Sequence, residues 1–430
     1  MSSGIEPLLF SIMSLLRLLD LNEKSVRRCV LVVSLCLAGA QRGSAEEIPV
    51  EENLARANFH VAAFAPNGKV LVTATAATAQ LWDVESGKLL RQFVGHTATV
   101  NSVALSADGR SLLTAGGDVG PLARHDPTAR IWNVETGAQS AVFEAEGNYV
   151  SAACISPDGE RILTMSTSNT TARLGSQAEV WDRKSGRRAF VLEDVALVSA
   201  ATNGLTPLVF SQRGELLAGL TDEGRQLCVW SARTGELVWK QVGALVEDGR
   251  RATYGGIGFS RDGRRLLVVC SDRSASVWSA GMGSSTAVFE GHTDRIRAAA
   301  FCGDGERVLT ASLDATARLW SVDSGELVRT FDHPGPVVDL AVNRDGDRVA
   351  TRWRMSRTEG TGGAHSSFVS LWDVSNGREL RRLPTGQRGR FLFDPSGKRV
   401  LVWEAGDHAT LLDAKTGATV RRYNGEETSR

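Results

Sequence analysis

The chain has 430 residues, and its 49 basic and 49 acidic side chains give a formal net charge of zero. Balanced charge provides no global attraction to nucleic acid or acidic lipid, so no nucleic-acid partner is expected. The 6 cysteines include no Cys-x-x-Cys pair, which excludes the common zinc-binding spacing, and no metal or other cofactor is expected.

The N-terminal part has the features of an export signal. Arg27 and Arg28 precede an apolar run over 29–40, and small residues offer cleavage after Ala40 or Ala45. This run is too short to span a membrane, which takes about 20 apolar residues. We expect a signal peptide over 26–45 and a periplasmic or extracellular mature chain, with a cytoplasmic chain as the alternative. Residues 1–25 form an extension without an assigned role, and 46–57 a linker.

Tryptophan recurs along the rest of the chain at steps of roughly forty to fifty residues. Each one closes an apolar or small-residue run: Trp82, Trp132, Trp181, Trp230, Trp278, Trp320 and Trp372. Self-similarity at this step indicates an array of one small unit, predicted over 58–424 with a tail at 425–430. Such a repeat builds a scaffold and carries little chemistry of its own.

The sixth module shows the pattern most clearly. Four β-rich runs are separated by turns containing Gly or Asp, and they predict strands over 297–301, 307–312, 317–322 and 327–331. Short runs bounded in this way are typical of a four-stranded antiparallel meander.

This module resembles the WD-repeat β-propeller family, in a bacterial-type, exported form. The residues that carry the resemblance are Gly291-His292, Ser312, Asp314 and Leu319-Trp320-Ser321. The resemblance implies a buried relay of hydrogen bonds that holds the blade together through His292, Ser312, Asp314 and Trp320. The second module keeps His96, Asp126 and Trp132 at the matching positions, whereas other modules keep fewer of them.

Glycine turns give an independent count of the modules. The first turn of each module ends at Gly68, Gly109, Gly159, Gly214, Gly263, Gly305, Gly346 and Gly397, and the third at Gly87, Gly137, Gly186, Gly235, Gly283, Gly325, Gly377 and Gly417. Both series give eight, although Leu412 replaces tryptophan in the last module. The predicted fold is all-β, a single propeller of eight four-stranded antiparallel blades; seven blades plus a degenerate module is the alternative. Module eight has its own fourth strand, so packing between blades one and eight should close the ring.

Irregular loops lie on one face of the predicted disc. From first-turn to third-turn glycine, modules two, three and seven span 28, 27 and 31 residues, against 19 to 21 in the others. Two further long connections follow the fourth strands of modules three and four. In a meander, the second-to-third and fourth-to-first connections share one side. We call this side the insertion face and predict that it binds the partner.

The predicted function is a non-catalytic scaffold that binds a protein or peptide through the insertion face. Candidate partner-binding residues near that face are Arg124, His125, Arg173, Arg250, Arg251, Tyr254, Arg295, Arg297 and Arg354. Arginine and aromatic side chains are typical anchors of interfaces. The alternative is a propeller enzyme or small-ligand binder at the central channel mouth. No catalytic or metal-binding motif occurs, no transmembrane span is predicted, and a monomer is expected.

Overall fold

Thirty-two β-strands form eight separate sheets in the computed structural model, which describes residues 61–117, 126–147, 149–170, 173–193, 195, 208–243, 254–303, 305–355, 367–385, 389–403 and 409–423. Within these ranges every regular element is a strand. Each sheet has four strands, paired antiparallel in chain order, so each is a meander blade. The prediction of eight four-stranded antiparallel blades is confirmed.

The first four blades run from β1 to β16. Their strands are β1 Val61–Phe64, β2 Val70–Thr75, β3 Thr78–Asp83 and β4 Leu89–Val94; β5 Val100–Leu105, β6 Ser111–Gly116, β7 Thr128–Asn133 and β8 Gln139–Glu144; β9 Tyr149–Ile155, β10 Arg161–Thr170, β11 Arg173–Asp182 and β12 Arg188–Leu192; β13 Leu208–Phe210, β14 Leu216–Thr221, β15 Gln226–Ser231 and β16 Leu237–Val242.

The last four blades run from β17 to β32. Their strands are β17 Tyr254–Phe259, β18 Arg265–Cys270, β19 Ala275–Ser279 and β20 Ser285–Phe289; β21 Ile296–Phe301, β22 Arg307–Ser312, β23 Thr316–Ser321 and β24 Leu327–Asp332; β25 Val337–Val342, β26 Arg348–Arg354, β27 Ser367–Asp373 and β28 Glu379–Thr385; β29 Arg390–Phe393, β30 Arg399–Trp403, β31 Ala409–Asp413 and β32 Thr419–Tyr423.

Position within a blade explains the residue pattern of each strand. First strands of neighbouring blades contact one another, which places them around the axis. Second strands such as β22 are buried along nearly their whole length, because other blades cover both of their faces. Fourth strands such as β24 stand at the rim, and most of their residues are exposed or only partly buried. The predicted strands of the sixth module agree with β21 to β24 to within one residue.

The hydrophobic core lies between the blades. Eight clusters of buried residues each join two neighbouring blades. The recurring tryptophan of a blade packs toward the preceding blade, often against an aromatic ring of that blade's fourth strand, as Trp132 does with Phe93 at 5.9 Å between centroids. Leu412 fills this place in blade eight.

Blades one and eight close the ring by side-chain packing. Leu71 and Trp82 of blade one share a buried cluster with Leu401, Trp403 and Leu411 of blade eight. Each of these two blades has four strands of its own, so neither borrows a strand from the other. Closure therefore follows the predicted route.

The sixteen counted turn glycines all have φ between 66° and 78°. This left-handed backbone is strained for residues with a Cβ atom, which is why glycine recurs there. These turns connect first to second and third to fourth strands, so they lie together on the side opposite the insertion face, which we call the turn face.

The four cysteines in the described ranges, Cys154, Cys228, Cys270 and Cys302, are free thiols. Burial raises the pKa of Cys154 to about 12 and, together with the charge of Asp272, raises that of Cys270 to about 12.

Candidate functional site

The irregular connections begin and end on the insertion face. Strand direction alternates within each blade, so the ends of all second strands and the starts of all first strands lie on this side. The inserted segments 118–125, 196–207, 244–253 and 356–366 lie outside the described residues, as do the candidate residues Arg124, His125, Arg250 and Arg251. Their strand ends are described and fix where each segment is attached.

Blade three extends its central hairpin on this face. β10 and β11 pair over ten residues each, from Arg161 opposite Asp182 to Thr170 opposite Arg173, without a break in register. β11 therefore starts eight residues before Trp181, and its pairing with β10 has no bulge. The backbone of Arg173 lies at the tip of this hairpin.

Tyr254 lies in the core and not on the surface. Its side chain is 7% exposed and belongs to the cluster between blades four and five. Burial raises the pKa of its phenol to about 12. Tyr254 is the first residue of β17 and not part of the inserted loop, so its side chain is buried instead of lying on the insertion face as predicted.

Arg295 and Arg297 lie at the start of the first strand of blade six and are both exposed. The pairing of β21 with β22 shifts between Ile296 and Ala298, which leaves Arg297 unpaired in a β-bulge. Bulges re-aim side chains at strand ends. Arg297 thus stands at the axial edge of the insertion face.

Blade seven carries a buried ion pair beside this position. Nη2 of Arg352 lies 3.8 Å from Oδ2 of Asp339, with side-chain exposures of 13% and 2%. The two residues pair across β25 and β26. Along β26, Val349 and Trp353 pack toward blade six, whereas Ala350 packs toward blade eight. Because strand side chains alternate, Arg352 and Arg354 share the side that faces blade eight.

Four arginines of three consecutive blades lie near the axis on the insertion face, and the charges of three of them act on the fourth. We call Arg297, Arg352, Arg354 and Arg390 the arginine cluster. Arg297, Arg354 and Arg390 are exposed, and Arg390 begins the first strand of blade eight. Burial lowers the pKa of Arg352, Asp339 raises it, and the other three arginines lower it further. Among the described residues, positive charge therefore exceeds negative charge at this cluster.

The sequence identified two members of this cluster and missed two. Arg297 and Arg354 were predicted, whereas Arg352 and Arg390 were not. A signal existed for Arg352, because the fifth position of every other second strand is apolar. No sequence signal marks Arg390, because its proximity to Arg352 depends on how the first strand of blade eight lies beside blade seven.

Blade six contains the relay that was predicted, with one different member. Asp314 accepts a hydrogen bond from Nδ1 of His292 at 2.7 Å, and Nε2 accepts one from the hydroxyl of Thr310 at 2.7 Å. The indole N–H of Trp320 donates to the same Thr310 oxygen at 2.8 Å. Ser312 instead donates to the carbonyl of Asp294 at 2.8 Å. The bridging hydroxyl is therefore Thr310, and the prediction of Ser312 in this role is wrong.

Hydrogen bonds keep the carboxylate of Asp314 ionised although it is buried. Burial alone would raise the pKa of Asp314, but hydrogen bonds from Thr316 and His292 lower it. Burial lowers the pKa of His292 despite the neighbouring carboxylate. The His292 ring is therefore neutral, and it connects the hydroxyl of Thr310, which accepts from Trp320, to the carboxylate of Asp314.

Blade two repeats the arrangement next to an insertion. His96 lies 2.8 Å from Asp126 and 2.8 Å from the hydroxyl of Thr114, which accepts the indole N–H of Trp132 at 2.8 Å. The backbone N–H of Thr97 also donates to Asp126 at 2.8 Å. Asp126 directly follows segment 118–125, so the relay fixes the base of that insertion.

Blade seven has a third relay that the sequence did not reveal as one. Nε2 of His333 lies 2.8 Å from the hydroxyl of Thr351, which accepts the indole N–H of Trp372 at 2.9 Å. The carbonyl of Phe331 replaces the carboxylate and accepts from Nδ1 at 3.0 Å. A signal existed, since 18 residues separate the histidine from its threonine in all three relays.

On the turn face, a cavity of about 300 Å³ opens between the first turns of blades four to seven. Its lining includes the rings of Phe259 and Phe301 and the side chains of Arg261 and Arg344. Both arginines are exposed. This cavity lies at the opposite end of the axis from the arginine cluster.

In the part of the chain that the structure describes, no group of three or more His, Cys, Asp or Glu side chains is arranged to hold a metal ion. A search of the same residues finds no helix with the length and apolarity needed to cross a membrane.

Comparison with known proteins agrees with this architecture. Residues 87–133 and 283–321 match the family described as WD domain, G-beta repeat. These two segments cover corresponding parts of modules one to two and five to six. A stretch of 39 residues is 49% identical to autophagy-related protein 16 of Arabidopsis thaliana and covers 9% of this chain and 8% of that protein. The chain thus matches less than a tenth of the length of this curated relative.

A solved structure matches over most of the chain. The crystal structure of the C-terminal WD40 domain of Sif2 superposes with a TM-score of 0.64 at 18% identity, covering 83% of this chain and 96% of that domain. At this identity the likeness concerns the fold. The eight blades and the two repeat matches identify the chain as a β-propeller that contains WD repeats.

Proposed function

We propose that this propeller is a non-catalytic scaffold that binds a protein or peptide partner through its insertion face. One observation carries the proposal: all five irregular connections are attached to that face, whereas the turn face holds sixteen turns of uniform backbone conformation. A rigid scaffold with variation confined to one side is typical of a binding surface.

The buried relays support this assignment by fixing described residues next to the connections of the insertion face. In blades two and six, the histidine lies in the connection that enters the blade, and its aspartate precedes the third strand. Each relay thus ties together two connections of the insertion face. A pre-ordered surface loses less conformational freedom on binding, which favours affinity.

A pull-down tests the proposal. The mature chain is compared with a variant in which segments 118–125 and 356–366 are each replaced by a short glycine-serine turn. A matched control, R261E/R344E, changes the turn face instead. We expect the trimmed variant to lose partners that the control retains. If the trimmed variant keeps every partner while it folds normally, the insertion face is not the binding face.

A small-ligand site is the second candidate function, and the cavity on the turn face favours it. Its two aromatic rings and two guanidinium groups would suit a planar anionic molecule. A thermal-shift screen of small aromatic carboxylates tests this candidate. Stabilisation that the R261E/R344E variant abolishes would support it, and no stabilisation by any compound would reject it.

We further propose that the propeller acts outside the cytoplasm, as a monomer. The basic pair Arg27–Arg28 and the apolar run 29–40 support export, and both lie outside the described residues. N-terminal sequencing of the protein from its native cells checks this. A chain that starts after Ala40 or Ala45 is expected, and an intact Met1 in the cytosolic fraction would contradict export. Light scattering of the mature chain measures its oligomeric state.

A further inference from the structure

Blade seven has a charged residue at a strand position that is apolar in every other blade. The fifth residue of the second strand is Arg352 in blade seven, and elsewhere it is Ala74, Ala115, Met165, Leu220, Val269, Ala311 or Trp403. Its cross-strand partner Asp339 corresponds to Ala298 in blade six. Placing a charge pair in such a position costs desolvation free energy, and small apolar residues fill it without that cost.

This ion pair holds a guanidinium group in a fixed place. Arg352 is largely buried against Asp339, and its Nε has no hydrogen-bond partner among the residues that the structure describes. Asp339 therefore holds the guanidinium group by charge at 3.8 Å, and the buried Nε is left as an unsatisfied donor. An anchored guanidinium suits recognition of carboxylates, which it binds through two parallel hydrogen bonds.

Three exposed arginines lie near enough to this group for their charges to lower its pKa. Arg297 stands in the bulge of blade six, Arg354 ends the second strand of blade seven, and Arg390 begins the first strand of blade eight. None of the three forms an ion pair with a carboxylate within the described ranges. Among the described residues, Asp339 is the one carboxylate that forms an ion pair with these four arginines.

We propose that the arginine cluster binds an acidic segment of the protein partner, an extended peptide with several aspartate or glutamate side chains. This inference rests on the proposed function, since it names the chemistry of the partner at the insertion face. The exposed arginines stand on three different blades, so they offer separate contacts to charges spaced along a chain. A single compact phosphate would reach fewer of them.

Binding of a defined acidic peptide tests the inference. The probe is a fluorescein-labelled peptide of ten glutamates, and its affinity for the mature chain is measured by fluorescence anisotropy. We expect the R297E/R354E/R390E variant to bind it at least tenfold more weakly. The R187E/R233E variant, with exposed arginines reversed in two third turns of the turn face, should bind it as the natural chain does.

Three outcomes would overturn the inference. Equal weakening in both variants would show a general charge effect. Equal or tighter binding of a single-stranded oligonucleotide at the same sites would assign the cluster to nucleic acid. A preference for a peptide with one phosphoserine over the glutamate peptide would assign it to phosphate. Circular dichroism and thermal unfolding verify that each variant is folded.

The pull-down separates this inference from the proposed function. If the R297E/R354E/R390E variant retains partners that the loop-trimmed variant loses, the insertion face binds them without the arginine cluster. The inference then fails while the proposed function stands. If loop trimming has no effect, the proposed function fails irrespective of the peptide result.

Discussion

In most blades, a threonine of the second strand accepts a hydrogen bond from the indole N–H of the recurring tryptophan. Five of them donate to such a hydroxyl, and the accepting residues are Thr73, Thr114, Thr164, Thr310 and Thr351. Blade five has Val268 at this position, and there Trp278 donates to Ser276. A buried donor without a partner is costly, which explains why a different hydroxyl accepts the indole N–H in blade five.

Replacing Thr310 with valine should be more damaging than replacing Ser312 with alanine. Valine keeps the shape but leaves Nε2 of His292 and the indole of Trp320 without their shared partner, at a cost of about 2–4 kcal/mol. Loss of the Ser312 hydroxyl removes its bond to the carbonyl of Asp294 and the bond that it accepts from the backbone N–H of Asp314, at about 1–2 kcal/mol. Urea denaturation followed by tryptophan fluorescence measures both free energies of unfolding. The reverse order would assign the relay to Ser312.

His333 should make the protein less stable in mild acid. Burial lowers the pKa of His333 from 6.5 to about 4, so the folded protein keeps this ring neutral. As the pH falls below 6.5, the unfolded chain binds a proton that the folded chain does not, and stability declines until about pH 4. The expected loss is about 3 kcal/mol at most.

Denaturant unfolding at pH 7 and pH 4.5 checks this expectation in the natural chain and in H333Q. Glutamine keeps a hydrogen-bond acceptor for Thr351 but does not titrate. The difference in stability between the two pH values should be smaller in H333Q by about 2–3 kcal/mol. The same difference in both proteins would mean that His333 is not the titrating group.

At the scale of single elements, the third turns offer a matched pair of glycines. An added Cβ would meet no atom within 4 Å at either Gly186 or Gly281. The two differ in backbone conformation, since Gly186 has a φ of +70° and Gly281 has no such left-handed value. Their comparison isolates the backbone effect from steric contact.

Alanine at these two positions should therefore act in opposite directions. G186A is expected to destabilise by about 1 kcal/mol because alanine resists left-handed φ. G281A should be neutral or stabilise by up to about 1 kcal/mol, since alanine restricts the unfolded chain. Thermal unfolding of both variants measures the difference. Equal destabilisation would show that the left-handed φ of Gly186 is not what requires glycine at that position.

Sequence patterns predicted the turns and strands, because their conformation depends mainly on residues that are close in sequence. Turn glycines such as Gly186 mark their own backbone conformation, and the tryptophans mark third strands, so strand order and blade number followed from the sequence. Residues whose role depends on register were harder to assign. Thr310 and Ser312 are two positions apart, and only their pairing with β23 and β21 shows which one reaches Trp320.

At the scale of the whole molecule, the candidate site is assembled from different blades. Arg297, Arg352 and Arg390 lie on three blades and are far apart in sequence. They meet because first strands surround one axis and because Arg297 is displaced by a bulge. Neither spacing nor composition contains this information, whereas the face on which they lie was predictable from loop lengths.

The ring closes at a seam that resembles the other seven interfaces. Leu401 in blade eight and Leu309 in blade six occupy the same third position of their second strands, with exposures of 2% and 0%. Leu401 packs against blade one and Leu309 against blade seven. The two leucines therefore allow the closing seam to be compared with an interior one by a single type of substitution.

We expect L401A and L309A to destabilise the protein by similar amounts, each about 2–5 kcal/mol. The physical reason is that both leave a cavity in a cluster shared by two blades, and no exchanged strand reinforces the seam between blades one and eight. Urea denaturation with tryptophan fluorescence gives both values under one set of conditions. A cost below about 1 kcal/mol for L401A, with the full cost for L309A, would show that the seam is open in solution. A single cooperative transition in both variants would show instead that the eight blades unfold as one ring.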